Sequence, residues 1–231
     1  MPSILDLFRN LFVKRYYGVY PANVVDNQDP NQLGRVKISL PDSLGGDQPH
    51  TEWARMSVFM AGAHRGAYFL PEVGDEVLVA FENGDPSRPY VLGALWNDGA
   101  PPPEQMDGAG QNRVKSLHSR NGLLISLFDG TGEEALLLQT PGGQSVTLQD
   151  GKGGSVEIKD ASGNLIRLSP EGVHVSSSAK VTVEASLVEI TAGSVKVNAG
   201  LSTFSGTIKA DTLITNSVIT SSYTPGAGNI M

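Results

Sequence analysis

Pro71–Asn97 reads PEVGDEVLVAFENGDPSRPYVLGALWN: two apolar runs joined by an acidic turn, with a tryptophan near the end. DEVLVAFE and RPYVLGALW have the β-branched and aromatic content of strands, and the NGDPS between them is turn chemistry. In that turn Gly84 can supply a positive φ, Asp85 can bond back to the backbone, and Pro86 pre-sets its own φ. The stretch therefore predicts a β-hairpin.

Upstream, YYGVYPANVV and LGRVKISLP are β-rich runs separated by the polar loop DNQDPNQ, and WARMSVFMA is a third. Five short strands in about eighty residues, with Gly at the bends, suggest a small closed barrel, because closure removes exposed sheet edges. The natural reading of residues 16–98 is a five-stranded oligonucleotide/oligosaccharide-binding (OB) barrel. Residues 99–115, GAPPPEQMDGAGQNRVK, read as a linker that prolines stiffen and glycines loosen.

Residues 116–231 carry an internal repeat. Val181 and Val183, Val188 and Ile190, and Val195 and Val197 are apolar pairs with a seven-residue period. Before them come Val156/Ile158, Ile166/Leu168 and Val173/Val175, at seven- to ten-residue steps. After them the register loosens through Phe204, Ile208, Leu213, Ile214, Val218 and Ile219. Residues two apart share one face of a strand and cannot share a helical seam, so the heptad is not a coiled coil. A short strand plus a turn is too little for one chain to wind around its own core. Three chains around one axis, each pointing its valines inward, would enclose one. The alternative is a single-chain antiparallel meander forming a sandwich.

The bulk composition agrees with a fibrous, non-enzymatic protein. The chain has 231 residues, no cysteine, 27 glycines and only 6% aromatics. Without cysteine there is no disulfide, thiolate zinc site or Cys nucleophile. A formal charge of −7 argues against a general nucleic-acid binder, which needs a basic footprint. No run approaches the ~18 apolar residues of a membrane span.

The residues LGRVKISLP (Leu33–Pro41), WARM (Trp53–Met56) and VGDEVLVAFENGDPSRPYVLGALWN resemble the OB barrel of the phage tail-spike (baseplate assembly protein V) and type VI secretion VgrG superfamily. The resemblance implies an all-β fold: an N-terminal helix, the barrel as a structural collar, and a C-terminal intertwined triple-stranded β-helix, or needle. It implies a homotrimer acting as the central, cell-puncturing spike of a contractile-tail baseplate in a phage or phage-like injection system. Val173, Val175, Val181, Val183, Val188, Ile190, Val195 and Val197 would form the needle core. Some relatives insert a cell-wall-cutting domain between barrel and needle; the short linker here leaves no room for one, so no enzymatic activity is carried over.

Residues 1–15 predict a short amphipathic helix. Ser3 can cap it, Asp6 sits in its first turn, and Lys14 and Arg15 end it. Ile4, Leu7, Phe8 and Leu11 make its apolar face. That face either packs on its own domain or docks on a partner. VgrG proteins carry a large hub region before the barrel, and this chain has only this short segment there, so a separate hub protein is the expected partner. The segment lacks the order of charge, apolar run and small residues of an export signal, so synthesis in the cytoplasm is expected, and the resemblance implies location in a virion or particle baseplate. At the other end TSSYTPGAGNIM breaks the strand pattern. Tyr223, Ile230 and Met231 would contact a separate PAAR-type tip protein, the competing reading being a frayed terminus.

Catalytic and metal motifs are missing. His50, His64, His118 and His174 are scattered, with no HExxH and no paired spacing. Some spikes of the family hold iron through a His-x-His step, but here HVS at His174–Ser176 lacks the second histidine, and His174 reads as a surface strand residue. No catalytic residue, cofactor or metal site is expected. The rival function is a carbohydrate- or receptor-binding β-fibre, which would need surface aromatics along the repeat; beyond residue 130 only Phe204 and Tyr223 are aromatic. A single-stranded nucleic-acid binder is disfavoured by charge and by the expected lack of a basic aromatic groove.

Overall fold

The computed structural model describes residues 15–41 and 49–222. The amphipathic helix with Ile4, Leu7, Phe8 and Leu11 and the tail with Tyr223, Ile230 and Met231 lie outside the described residues. The described chain is nearly all β, and it divides into two units after Lys180.

The first strands alternate as the sequence predicts. β1 (Val19–Asp26) turns Ala22 and Val24 inward, and β2 (Val36–Ser39) turns Val36 and Ile38 inward. β3 (Thr51–Met56) buries Ala54. A small hairpin arm of β4 (Ala61–Gly62) and β5 (Arg65–Gly66) follows. β6 (Glu76–Phe81) buries Val77, Val79 and Phe81, and β7 (Pro89–Leu95) buries Pro89 and Val91. The order β1-β2-β3-β7-β6 closes a barrel around these side chains, with Leu40 and Tyr16 also in the core. This is the five-stranded barrel of an OB fold.

The run WARMSVFMA departs from its expected form as one strand. Pairing of β3 with β7 ends at Met56 opposite Val91, and the chain then leaves the barrel for the β4–β5 arm. The reason is local: a Cβ on Gly66 would lie 2.7 Å from the Met60 carbonyl, so only glycine lets the arm close back on itself.

The hairpin of β6 and β7 turns through Glu82–Gly84, where Gly84 adopts φ +76 and the Asp85 carboxylate accepts bonds from the Ser87 amide (3.0 Å) and hydroxyl (2.8 Å). A Cβ at Gly84 would sit 3.0 Å from the Tyr17 ring. Gly84→Ala meets both the left-handed backbone, which costs an L-residue ~1 kcal/mol, and that ring. The expected outcome is a lower melting temperature for the barrel, read by differential scanning calorimetry.

The loop from β1 to β2 is organised by Asp29, a role not evident in the sequence. Its side chain is only 4% exposed. It accepts the amides of Asn31 (3.0 Å), Leu33 (2.9 Å) and Arg35 (3.2 Å) and a forked pair from the Arg35 guanidinium, 3.1 Å from Nε and 2.7 Å from Nη2. The Arg35 guanidinium holds the Asp29 carboxyl well below the usual carboxylate range, opposed by its partial burial and helped by the amides. A carboxyl whose folded pKa is depressed contributes stability above its unfolded value, near ~4, and loses it as pH falls toward the folded value. Asp29→Asn should lower stability at pH 7 and flatten the loss of stability below pH ~4, as followed by thermal melts across pH.

The second sheet is a meander of β8 (Val114–His118), β9 (Leu124–Phe128), β10 (Ala135–Gln139), β11 (Ser145–Gln149), β12 (Ser155–Lys159), β13 (Leu165–Ser169) and β14 (Gly172–Ser176). Each strand bonds antiparallel to its sequence neighbours, so over residues 114–176 the backbone bonds run within one chain. This is the antiparallel meander, as one sheet and not a sandwich, where bonds between intertwined chains were expected. Turn chemistry is the cause. Five-residue strands alternate with tight turns in which Gly122, Gly143 and Gly163 on one edge take φ +84, +87 and +85. Ser119 Oγ, Thr140 Oγ1 and Asp160 Oδ1 each accept an amide four residues on, which closes those turns.

Residues 181–222 contain no strand among the described residues. Every large apolar side chain in them is more than half exposed, from Val188 at 57% to Ile219 at 98%.

Candidate functional site

The register of the meander sorts its side chains into two faces. Cross-strand partners share a face, and successive residues alternate. One column runs Lys115, Leu127, Leu136, Leu148, Val156, Leu168, Val173 across the seven strands. Its neighbour on the same face runs Leu117, Ile125, Leu138, Val146, Ile158, Ile166, Val175. Apart from Lys115, every position in both columns is apolar. The opposite face carries Ser116, Ser126, Thr147, Glu157, Arg167 and His174 down its middle, with Leu137 the one apolar member.

The polar face carries an ion-pair cluster. Glu157 pairs with Lys159 at 2.5 Å and with Arg167 at 3.5 Å. The Lys159 ammonium first, opposed by desolvation and aided by Arg167, holds the Glu157 carboxyl below its ordinary range. His174 sits on this face opposite Arg167, so it points away from any axis the apolar face would surround.

Among the described residues the apolar face stays partly exposed. Ile125, Leu138, Leu148, Ile158, Ile166 and Leu168 are each about two-fifths exposed or more, and Val173 reaches 70%. A ribbon of this length and purity is far outside what a monomer leaves bare. Carrying each half-exposed side chain to full burial contributes roughly 1 kcal/mol, half of the ~1.5–3 kcal/mol for complete burial. Summed over the ribbon that is on the order of 10 kcal/mol per chain, enough to offset the ordering cost of association.

Of the needle-core residues taken from the sequence, Val173 and Val175 lie in these two columns on β14. Val181, Val183, Val188, Ile190, Val195 and Val197 lie in the second unit, all exposed and with no strand neighbours among the described residues. The columns also contain Leu117, Ile125, Leu127, Leu136, Leu138, Val146 and Leu148, which the reading of the repeat left out. Their signal was present as further i, i+2 pairs at ten-residue steps.

The barrel carries a groove of about 1060 Å³ beneath the β4–β5 arm. It is lined in part by Arg35, Trp53, Arg55, Arg65, Tyr68 and Tyr90, so the expected lack of a basic aromatic groove is corrected. The Arg35 guanidinium lies 5.6 Å from the Trp53 ring centroid and Arg55 lies 5.4 Å from that of Tyr90. Arg35 is bound to Asp29 and Arg88 pairs with Glu82 at 3.4 Å, which takes much of the charge out of play. Among the described residues no group of His, Cys, Asp or Glu is placed to hold a metal ion.

Comparison with known proteins matches two family models. Residues 20–96 match the type VI secretion system/phage-baseplate injector OB domain. Residues 135–201 match the phage baseplate V C-terminal trimerisation domain. The second match spans β10 to β14 and the first heptads, and it supports a homotrimer. Among similar curated proteins, type VI secretion system spike protein VgrG1a of Pseudomonas aeruginosa is 35% identical over 96 residues, covering 40% of this chain and 15% of the relative. VgrG1b of the same organism is 33% identical over 117 residues, covering 47% of this chain and 16% of the relative. The actin cross-linking toxin VgrG1 of Vibrio cholerae is 30% identical over 116 residues, 47% of this chain and 10% of the relative. The matches thus span less than a fifth of the length of each of these relatives.

Proposed function

The chain belongs to the phage baseplate V and VgrG spike superfamily, and from that premise we propose that it is the structural central spike of a contractile-tail baseplate in a phage or phage-like injection system. One observation carries the reading: the apolar ribbon on β8–β14, uncovered among the described residues, whose β10–β14 part lies in a stretch matched by a trimerisation domain. Three such ribbons facing one axis enclose a dry core. The polar faces, with the Glu157–Arg167 pair, then turn to water. Beyond the sheet the segment of residues 181–222 finds its strand partners in the other two chains, because it has none among the described residues of its own.

Mechanically this is a passive punch and not an enzyme. Sheath contraction drives the tube forward, and the spike concentrates that force on a small area of the target envelope. Stiffness comes from a core shared by three chains, so that no segment of one needle wall can open without exposing side chains of two others.

A separate hub protein sits at the N-terminal end, contacting Ile4, Leu7, Phe8 and Leu11, and a PAAR-type tip protein sits at the C-terminal end on Tyr223, Ile230 and Met231. Immunogold labelling of intact particles with an antibody against the barrel should mark the baseplate end alone; label along the sheath or on the capsid would contradict the assignment. Leu7→Asp with Phe8→Asp should remove that label while the purified chain keeps its oligomeric mass.

A further inference from the structure

Resting on the spike reading above, we infer that Lys115 and Asp129 fix the register and direction in which the three chains assemble. The apolar ribbon cannot do so itself. Beyond Lys115 both of its columns are Leu, Ile and Val from strand to strand, and the meander repeats every two strands, roughly 10 Å at ~4.8 Å per strand. One chain displaced along the axis by a hairpin, or inverted, would still set leucines against leucines.

The two columns have one charged position, and it is at the β8 end. Lys115 lies opposite Leu127, so it belongs to the apolar face. One step past Phe128 the Asp129 amide donates to the Arg113 carbonyl at 2.7 Å, which continues the ladder and puts Asp129 on the same face by alternation. The Lys115 ammonium donates to the Asp129 carboxylate and, at 2.8 Å, to the Asn112 carbonyl. Both side chains are about half exposed, at 47% and 57%. The turn after β8 is tied to the barrel by Arg120 and Glu72 at 3.1 Å. The pair thus marks the barrel end of the ribbon.

With the chains level and parallel, three Lys115–Asp129 pairs ring the open end of the core and keep their water. A chain displaced by one hairpin would carry its pair against the leucines of a neighbour, near Leu136 and Leu148. An inverted chain would carry it against Val173 and Val175. Inversion dehydrates the two charges among valines, and displacement by a hairpin dehydrates Lys115 among leucines, which disfavours the wrong assembly more than it stabilises the right one. A single polar position in an apolar seam fixes register in coiled coils by the same physics.

The test is sedimentation velocity of the full-length chain. Wild type and Lys115→Arg should each give one boundary at the mass of three chains. Lys115→Leu with Asp129→Leu extends the ribbon without a marker. It should split into several boundaries, including species larger than three chains because displaced contacts do not close, and the three-chain share should fall at least twofold. If the double variant is insoluble, Lys115→Met, which leaves Asp129 in place, decides by the same criterion. A single three-chain boundary for the deciding variant, whatever its melting temperature, would overturn the register role. A wild-type chain sedimenting as a monomer would instead remove the spike reading on which the inference rests.

Discussion

Replacing Ile158 with aspartate should leave the chain folded but monomeric. Ile158 is central in its column, on β12, and is 46% exposed within one chain, so a carboxylate there meets water and the meander tolerates it. In the trimer three carboxylates would enter one dry core with no counter-charge on the ribbon near them. Each uncompensated buried charge costs several kcal/mol, and every ~1.4 kcal/mol is tenfold in an equilibrium constant, so the association constant should fall by many orders of magnitude. Thr147→Asp, one strand away on the polar face, should leave the trimer intact. Light scattering separates the two outcomes, and circular dichroism checks that the Ile158→Asp chain keeps its strand content.

The second large effect concerns residues 181–222. In a single chain Lys180, Lys196 and Lys209 are all exposed, and a segment without strands is cut at such sites as soon as trypsin meets it. Once three chains wrap into a needle, the backbone around each lysine is held in strands that a protease cannot unfold locally. Limited trypsinolysis should therefore leave all three sites whole in the wild-type assembly. Val188→Asp with Val195→Asp places charges at two successive heptads of the core and should expose all three sites together. Rapid cleavage of the wild-type assembly at Lys196 would mean that the segment is not wound.

The barrel was legible because its strands follow the period-two pattern with turn residues at the ends; Val77, Val79 and Phe81 alternate inward in the sequence as they do in the fold. Asp29 was not legible. One aspartate in a polar loop looks like any other until the chain folds Asn31, Leu33 and Arg35 around it. The β4–β5 arm was missed for a similar reason, since WARMSVFMA has strand composition throughout and the break depends on how Gly66 approaches Met60.

The C-terminal half was legible as a repeat but not as a pairing scheme. An i, i+2 apolar pair is the same whether the neighbouring strand comes from its own chain or from another. The distinguishing signal lies in the turns. From residue 122 to 172 glycines in the left-handed region recur at about ten-residue steps, at Gly122, Gly132, Gly143, Gly153, Gly163 and Gly172, each letting one chain reverse. Gly193 and Gly200 are spaced by the heptad instead, with Gly206 six residues further on, and none has a positive φ. The first spacing makes hairpins within a chain, whereas residues 181–222, with the second, form no strand among the described residues. The residues that form the apolar ribbon could be found by pattern, whereas the charged end of the ribbon at Lys115 and Asp129 required the register.

The most direct measurement is the mass of the full-length chain in solution by multi-angle light scattering. The account predicts a single species at three times the chain mass of 24.4 kDa, about 73 kDa, unchanged on dilution to the lowest measurable concentration. A stable monomer at 24.4 kDa would leave the ribbon on β8–β14 uncovered in solution and would contradict the shared core, the needle and the puncturing role together.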